Sequence, residues 1–437
     1  MFKQLNIETK LVCLIIFTIG MQQFPVIRVG GSFKIYELLA MCLLFISLFS
    51  LSKVRFINFF QLYAFGFFVL SPVLSLLYAY IILDYPNGFF LKYPGAVESF
   101  KFNYWVFPIL QLIYMCFNFA TINYIVKSEK LFGIFKRVLK ITIWIGAVIA
   151  LYSIFAMFVV DIIAKLPSFI QFKQEYQFRS SGLSQEPSFY VLYQAWVVFI
   201  AFYSKKLFSN LTWIGLFSIN AIALLFTFST TLVALILVIL MTFFFLKNPP
   251  KIKIFILVGL ALFIGGLYIL LLNSSNYNYL ETFFINKLAN FFSAPQHTLD
   301  SGSYRSYTTR IGFEIFKKYP LFGVGVGNSI YYMYLFQNKM GILVFGERLF
   351  AGSFPQNGFS MVLSEQGIVG GVFFLLFLIK MFLEFWKYRN HDNYCRMFFI
   401  GYLFNVAALM TIAPLYSLFI WIFPALGIGY IKHIVKD

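Results

Sequence analysis

The sequence has 437 residues, of which 61% are hydrophobic and 11% are charged, and it contains 60 phenylalanines. This composition excludes a water-soluble globule, whose surface needs more charge. The formal net charge of +18 would suggest a nucleic-acid partner for a soluble protein. In a membrane protein, however, the positions of the basic residues matter more than their sum. The chain is therefore predicted to be a polytopic membrane protein with no nucleic-acid partner.

Apolar runs predict about twelve membrane-spanning helices, at about 20 residues for each crossing. In chain order these runs are Leu11–Ile27, Ile35–Leu51, Phe59–Leu83, Phe102–Val126, Ile141–Ala164, Phe189–Tyr203, Leu211–Phe226, Ser229–Leu246, Ile252–Leu272, Gly358–Leu383, Met397–Ala413 and Pro414–Ile431. Pro414 either divides the last two runs or kinks one longer helix. The predicted fold class is all-α, with residues 1–437 forming a single integral membrane domain.

The distribution of lysine and arginine predicts the orientation of these helices. With the N-terminus inside, the cytoplasmic segments hold 19 basic residues: Lys3, Lys10, Lys53, Arg55, Lys127, Lys130, Lys136, Arg137, Lys140, Lys205, Lys206, Lys247, Lys251, Lys253, Lys387, Arg389, Arg396, Lys432 and Lys436. The short outer loops hold 7: Arg28, Lys34, Lys92, Lys101, Lys165, Lys173 and Arg179. Both termini are therefore predicted to be cytoplasmic.

This orientation places two polar loops together on the outer face, residues 165–188 and residues 273–357, the second between the ninth and tenth spans. In the first loop, Ser184 or Ser188 is suited to cap the following helix, with Pro187 near its start. Arg179 and Glu186 are not explained by such a junction, because charges at a bilayer edge are costly unless they are used. They are candidates for function.

The long loop contains a predicted amphipathic helix from Thr309 to Tyr319, which Pro320 ends. Arg310, Glu314, Lys317 and Lys318 share one face of this helix, and the apolar side chains take the other face: Ile311, Ile315, Phe316 and Tyr319. Such a helix is typical of one that lies on a membrane surface, where an ion pair between Arg310 and Glu314 contributes little. Arg305 falls away from the charged face, so it points elsewhere or precedes the helix.

Motifs for metal or nucleotide binding are not found in the sequence. The run Gly323, Gly325, Gly327 follows no predicted strand, so it indicates a turn or a close backbone approach and not a dinucleotide site. His297 stands alone in the long loop, and there is no Cys/His pair, paired-aspartate motif or HExxH helix. We therefore predict neither a metal nor a cofactor. An ATP-driven pump is disfavoured as well.

A secondary transporter would place ionisable residues in the middle of its spans. Here Glu37, Asp161, Glu365 and Glu384 are predicted near the ends of spans. This pattern favours an enzyme with a site in the outer loops.

Three segments resemble the O-antigen polymerase and ligase family of bacterial inner-membrane glycosyltransferases. Arg179–Ser188 is similar to an outer-loop pattern of arginine, glycine and Glu-Pro-Ser. Arg310 followed by Pro320–Asn328 resembles the family's arginine and Pro-Leu-x-Gly-x-Gly-x-Gly-Asn. Gln356-Asn357 with Leu363–Gly370 resembles the segment that re-enters the membrane. The implied fold is a polytopic helical protein similar to GT-C-like membrane glycosyltransferases.

The sequence departs from the family pattern at two places. Gln356-Asn357 stands where the family often has His-Asn, and that histidine is more characteristic of ligases, so the polymerase is favoured. Thr227-Phe228-Ser229-Thr230 resembles a Thr-x-Ser-Arg pattern in which Thr230 replaces the arginine.

The resemblance implies a reaction between two undecaprenyl-diphosphate-linked oligosaccharides on the periplasmic side. A sugar hydroxyl of one attacks the anomeric carbon of the other, and undecaprenyl diphosphate leaves. Guanidinium groups suit a diphosphate leaving group, because they donate paired hydrogen bonds in a fixed geometry. We therefore predict Arg310, as the centre of the site, with Arg305 and Arg179 as catalytic residues and Glu186 as the general base.

The predicted substrate-binding residues are Gln356, Asn357, Tyr304 and Asn328. Further tyrosines of the long loop are suited either to sugar rings or to an interfacial aromatic belt: Tyr277, Tyr279, Tyr307, Tyr331, Tyr332 and Tyr334. A protein that regulates chain length is a predicted partner. The alternatives to a polymerase are an O-antigen ligase, which passes the glycan to lipid A core, and a flippase or transporter of lipid-linked glycans, which forms no bond.

Overall fold

The computed structural model describes residues 5–22, 26–28, 32–49, 59–96, 98–99, 103–158, 179–184, 186–227, 229–245, 301–339, 353–412 and 415–436. Within these residues the structure is helical apart from turns and one short antiparallel hairpin, in which Ile27 lies opposite Phe33. The predicted all-α membrane fold is confirmed. The hairpin was not predicted, since each of its strands, β1 (Val26–Arg28) and β2 (Ser32–Lys34), has only 3 residues.

Most of the described helices follow the apolar runs of the sequence. Those of the first part of the chain are α1 (Ile7–Thr18), α2 (Ile35–Phe49), α3 (Phe59–Phe65), α4 (Ser71–Ile81), α5 (Asn87–Lys92), α6 (Phe107–Lys127), α7 (Glu129–Gly133) and α8 (Phe135–Phe158). Those that follow are α9 (Pro187–Tyr203), α10 (Asn210–Leu225), α11 (Thr230–Phe245), α12 (Ser301–Lys318), α13 (Ser329–Lys339), α14 (Gly358–Tyr388), α15 (Asn393–Leu409) and α16 (Phe419–Tyr430). A π-helical turn, Gly66–Leu70, joins α3 to α4.

Four of the described helices are long and apolar enough to cross a membrane: Phe60–Ile81, Phe107–Lys127, Phe135–Ala156 and Gly358–Tyr388. Shorter apolar helices accompany them, among them α9 and α10. Each predicted span overlaps a helix except Ile252–Leu272, which lies outside the described residues. The first span was predicted too long, because α1 ends at Thr18 and Val26 and Ile27 belong to β1. Pro414 also lies outside them, but α15 and α16 are separate helices.

Exposed apolar stripes mark the helix faces that are suited to lipid. On α8 the stripe is Trp144, Val148, Leu151 and Phe155, and on α14 it is Ile368, Val372, Leu375, Ile379 and Leu383. A spacing of three or four residues places each set on one side of its helix. In water such stripes would be a liability, whereas in a bilayer they are the expected surface.

The interior between the helices is rich in aromatic side chains. Trp196 packs against Phe423 and donates a hydrogen bond through its ring nitrogen to Asn405 Oδ1, at 3.0 Å. A second cluster lies apart from this core and joins α5 to α13. It is built from rings of Phe89, Phe90, Tyr104 and Tyr331, among others.

The helical bundle has two distinct ends. Asn6 lies against Tyr124 at 3.2 Å, and His433 lies against the carbonyl of Val126 at 3.0 Å, so both ends of the described chain meet the last turn of α6. We call this the terminal end. The opposite end, at which α9 and α14 begin, is the loop end. Asn6 and His433 therefore lie at one end of the described bundle, and the cytoplasmic location of the termini stays a prediction.

Candidate functional site

Two segments that are distant in the chain meet at the loop end. Arg305, on α12, places Nη2 4.0 Å from Oε2 of Glu186, the residue that precedes α9. The Arg305 side chain is 14% exposed and that of Glu186 is 46% exposed. Glu186 has extended backbone and Pro187 begins α9, where a missing N–H is tolerated. The Glu186 carboxylate is therefore open to solvent, while the neighbouring Arg305 guanidinium is sheltered.

Tyr304 lies beside this pair. Its hydroxyl donates a hydrogen bond to Ser353 Oγ at 2.8 Å. Burial raises the pKa of Tyr304, and the nearby Glu186 carboxylate adds to the effect, while the bond to Ser353 and the charge of Arg305 oppose it. The phenol is therefore protonated at neutral pH and acts as a donor.

Residues 353–360 hold α12 in place. The N–H of Gln356 donates to Thr308 Oγ1 at 3.3 Å, and Ser360 Oγ donates to the carbonyl of Thr309 at 2.8 Å. Tyr304, Arg305 and Gln356 thus belong to one packed unit, which the separate sequence motifs did not reveal.

The side chain of Asn357 makes hydrogen bonds within the protein through both of its polar atoms. Its Oδ1 accepts hydrogen bonds from the N–H groups of Phe359 and Ser360, so it is the N-cap of α14. Its Nδ2 donates to the carbonyl of Met410 at 2.9 Å. The side chain therefore fixes where α14 begins, and its predicted contact with substrate remains a prediction.

Arg179 is buried, in contrast to Glu186. Its Nε donates to the carbonyl of Thr227 at 3.1 Å, and the N–H of Ser180 donates to the carbonyl of Phe226 at 2.9 Å. The guanidinium therefore reaches the Thr227–Thr230 segment, in which Thr230 stands in place of the family's arginine. The segment that leads to Glu186 is anchored to the end of α10 by these bonds.

Arg310 lies on a different side of α12 from Arg305. The two residues are five positions apart, which separates them by about 140° around a helix. Arg310 is exposed, while Ile311 and Ile315 are buried, so the predicted amphipathic face is confirmed. Glu314 forms its ion pair with Lys317, at 2.6 Å. Arg305, and not Arg310, is the arginine that the structure brings to Glu186.

The start of α12 also differs from the prediction. The helix begins at Ser301, before Thr309, so Arg305 is a helical residue and does not precede the helix. Its end at Lys318, before Pro320, agrees with the predicted end.

The glycine run interlocks with a break in α14. Gly367 has φ 62° and ψ −158°, so the helix is interrupted there. The N–H groups of Val324 and Gly325 donate to the carbonyls of Ser364 and Glu365, at 2.9 and 3.0 Å. The N–H of Ile368 donates in return to the carbonyl of Pro320, at 2.8 Å. The predicted turn with close backbone approach is observed.

Asn328 ends this run and is fully buried. Its Nδ2 donates to the carbonyl of Val324 at 2.9 Å. It shapes the turn from within, and a role in substrate binding remains a prediction.

Glu365 is a residue whose position the sequence did not reveal. It was predicted near the end of a span, but it lies just before the break in α14 and is 1% exposed. Ser329 Oγ donates to it at 2.5 Å, and the Tyr416 hydroxyl donates to its other oxygen. The sequence did contain a signal for this buried position, namely a glutamate within an apolar run that also contains Gly367.

Several tyrosines of the long loop pack within the protein. Tyr331 and Tyr332 are buried in the aromatic cluster, and Tyr307 is buried on α12. Tyr334 stacks edge-on against Phe89. Tyr277 and Tyr279 lie outside the described residues, as does His297.

Among the residues that the structure describes, one group of metal-ligand side chains occurs, and it lies at the terminal end. His391, Asp392 and Cys395 each place one ligand atom within 4.8 Å of the others, so the structure brings together a Cys/His pair that the sequence did not suggest. Asp392 already caps α15 through the N–H of Cys395, at 2.7 Å, and accepts from the Tyr430 hydroxyl, also at 2.7 Å. This group lies at the opposite end of α14 from Arg305 and Glu186.

Residues 214–375 match a family model described as O-antigen ligase. No curated protein matches the chain significantly. The matched segment contains the glycine run, the Gln356-Asn357 pair and the break in α14, while Arg179 and Glu186 precede it. This match supports the resemblance to the O-antigen ligase and polymerase family that the sequence motifs indicate, and it covers residues 214–375 of the chain.

Proposed function

We propose that this protein polymerises a surface polysaccharide by joining undecaprenyl-diphosphate-linked oligosaccharide repeats on the periplasmic face of the bacterial inner membrane. The observation that carries the proposal is the approach of Arg305 to Glu186, at 4.0 Å. This approach joins the two predicted outer loops into one site that contains both a guanidinium and a carboxylate.

The proposed reaction needs one base and a group that stabilises the leaving diphosphate. The acceptor hydroxyl oxygen forms a bond to the anomeric carbon of the donor, and the bond from that carbon to the diphosphate oxygen breaks. Undecaprenyl diphosphate leaves with the electron pair of that bond. The hydroxyl proton passes to the carboxylate of Glu186, whose exposure makes it accessible to an acceptor.

Arg305 is assigned to the diphosphate, because a guanidinium stabilises developing negative charge with directed hydrogen bonds. Tyr304 is assigned to a donor or acceptor sugar, whose hydroxyl can donate to the phenol oxygen while the phenol proton is donated to Ser353. Gln356, whose N–H bonds to Thr308 one turn along α12, is assigned to the same substrate. Arg310 extends the positive charge along the exposed side of α12, and Arg179 holds the loop of Glu186. The glycosyl-diphosphate bond already supplies the driving energy, so the reaction is proposed to need neither metal nor nucleotide.

The residue at position 356 supports a polymerase over a ligase. Glutamine stands where the family often has the histidine that is more characteristic of ligases. A chain-length regulator is proposed as a protein partner.

Replacing Arg305 with Ala is expected to reduce polymerisation by at least about 100-fold, because one lost donor to a developing oxyanion costs that much. Arg305→Lys should restore only part of the rate, since an ammonium keeps the charge but loses the paired donors. The measurement is glycan length after incubation of purified protein with lipid-linked repeats. Lys317→Ala, on the exposed side of α12, is the matched control.

Arg310→Ala separates the two arginines of α12. If Arg305 is the residue that meets the diphosphate, the loss for Arg310→Ala should be smaller than for Arg305→Ala in the same assay. A larger loss of polymerisation for Arg310→Ala would show that Arg310 is the central arginine of the site. Equal amounts of folded protein are required for this comparison.

Glu186→Gln is expected to lower the rate by about 10²–10⁴-fold, because it removes the proton acceptor and leaves a side chain of similar shape. Glu186→Asp should retain part of the activity. Glu314→Gln is the control for a simple loss of negative charge. Full polymerisation by Glu186→Gln would show that Glu186 is not the general base.

Reconstitution in vesicles distinguishes the three functions. A polymerase lengthens the glycan on purified lipid-linked repeats without another acceptor. A ligase forms product only when lipid A core is added, and a flippase changes the leaflet of the glycan without changing its length.

A further inference from the structure

A cavity at the terminal end of the bundle has the composition of an anion site. Its volume is about 390 Å³, and it is lined by Lys140, Trp144, Lys206, Leu207, Phe208, Ser209 and Thr212. It lies where α8 begins and where the turn after α9 leads into α10. Since α9 has 17 residues, about 25 Å of helix separates this cavity from Glu186.

The lining carries positive charge and hydroxyl groups. It includes two lysines and two hydroxyl side chains, and none of the seven residues is acidic. Ser209 is the N-cap of α10, so the positive end of that helix dipole faces the same region. Lys140 Nζ lies 5.4 Å from the centre of the Phe208 ring, and Lys205 lies 4.9 Å from that of Trp213. An anion entering here would meet only attractive charges among the lining side chains.

An apolar path leads away from the cavity along a lipid-facing helix. Trp144, which lines the cavity, is 47% exposed, and the exposed stripe continues through Val148, Leu151 and Phe155. This stripe belongs to α8, one of the helices long enough to span the membrane. Lys140 lies one turn before Trp144, at a level where lysines reach the headgroup region.

We propose that this cavity binds the headgroup of an anionic phospholipid. The phosphate lies between Lys140 and Lys206 near Ser209, and an acyl chain follows the stripe from Trp144. Inorganic phosphate would satisfy the lysines but would leave the stripe unused, so the joined cationic and apolar surfaces point to a lipid. Basic pockets between helices at the cytoplasmic surface recognise anionic headgroups in this way. The inference does not depend on the proposed reaction, because it uses no residue of that site.

The test is native mass spectrometry of detergent-purified protein titrated with phosphatidylglycerol. Phosphatidylcholine and inorganic phosphate are titrated in parallel. Wild-type protein should bind phosphatidylglycerol more tightly than phosphatidylcholine, and the K140A/K206A variant should bind phosphatidylglycerol roughly 30-fold more weakly. The binding of phosphatidylglycerol should also weaken as salt is raised.

Two further variants make the result specific. K140R/K206R keeps both charges and should bind like wild type. K130A/K387A removes the same charge from two lysines that are likewise exposed but do not line the cavity, and it should also bind like wild type. Equal loss in K130A/K387A, equal affinity for both lipids, or phosphate binding that competes fully with the lipid would each overturn the proposal.

Discussion

Glu365 joins three segments of the chain through one carboxylate. Ser329 at the start of α13 and Tyr416 before α16 donate their hydroxyls to it, and the N–H of Gly327 donates to the Tyr416 hydroxyl at 3.3 Å. Its own carbonyl accepts from Ser75 on α4 and from the N–H of Gly325. A buried carboxylate is tolerated only when its oxygens are satisfied in this manner. Glu365 therefore stabilises the arrangement of the glycine run.

Replacing Glu365 with Ala is expected to destabilise the protein by about 3 kcal/mol, because several buried donors lose their acceptor at once. Glu365→Gln keeps the shape and one acceptor oxygen, so its loss should be smaller. Thermal unfolding in detergent measures both. Glu314→Ala, which removes an exposed ion pair, should change stability by less than about 1 kcal/mol. A loss for Glu314→Ala as large as that for Glu365→Ala would contradict the role given to burial.

The broken helix α14 and the glycine run form one element that neither segment could form alone. The break leaves carbonyls without intrahelical partners, and the N–H groups of Val324 and Gly325 satisfy them. The approach is so close that a Cβ on Gly323 would lie 2.5 Å from the carbonyl carbon of Glu365. This element holds the start of α14, and with it residues 353–357 beside Tyr304.

Gly367→Ala tests this element. Its φ of 62° and ψ of −158° belong to a region used almost only by glycine, and a Cβ would meet the backbone of Leu321 and Gly323. We expect a loss of about 3 kcal/mol in unfolding free energy, measured by thermal unfolding in detergent. Gly215→Ala is the matched control, since its Cβ meets nothing within 4 Å in the middle of α10. There, alanine should be neutral or stabilise by up to about 1 kcal/mol.

The two ends of the bundle carry different kinds of surface, the candidate site at one end and exposed lysines at the other. The loop end carries Arg305, Glu186 and the interlocked turn of α14, and the terminal end carries the exposed lysines of the α8 and α9 boundaries. Asn6 and His433 both lie at the terminal end. The excess of basic residues there is what places this end in the cytoplasm under our proposal.

Cysteine labelling in intact cells tests the orientation. In a variant that lacks the native cysteines, Lys317→Cys at the loop end should react with a membrane-impermeant maleimide. Lys130→Cys at the terminal end should react only after permeabilisation. The reverse pattern would place the Arg305–Glu186 site in the cytoplasm and contradict the proposed periplasmic reaction.

The membrane class, the position of most helices and the apolar face of α12 could be predicted from the sequence alone. These properties are local, because runs of about 20 apolar residues and a period of 3.6 can be recognised without knowing what they pack against. The end of α12 before Pro320 and the turn at the glycine run were predictable for the same reason.

The folded structure was needed to show that Arg305 meets Glu186, that Asn357 caps α14 and that Glu365 is buried. Each depends on contacts between segments far apart in the chain, which leave no periodic pattern in the sequence. The sequence predicted Arg310 as the centre of the site and Arg305 off the charged face of the helix, but it could not show which of the two arginines meets Glu186. The packing of α12 against residues 353–360 turns Arg305 toward Glu186 and leaves Arg310 exposed.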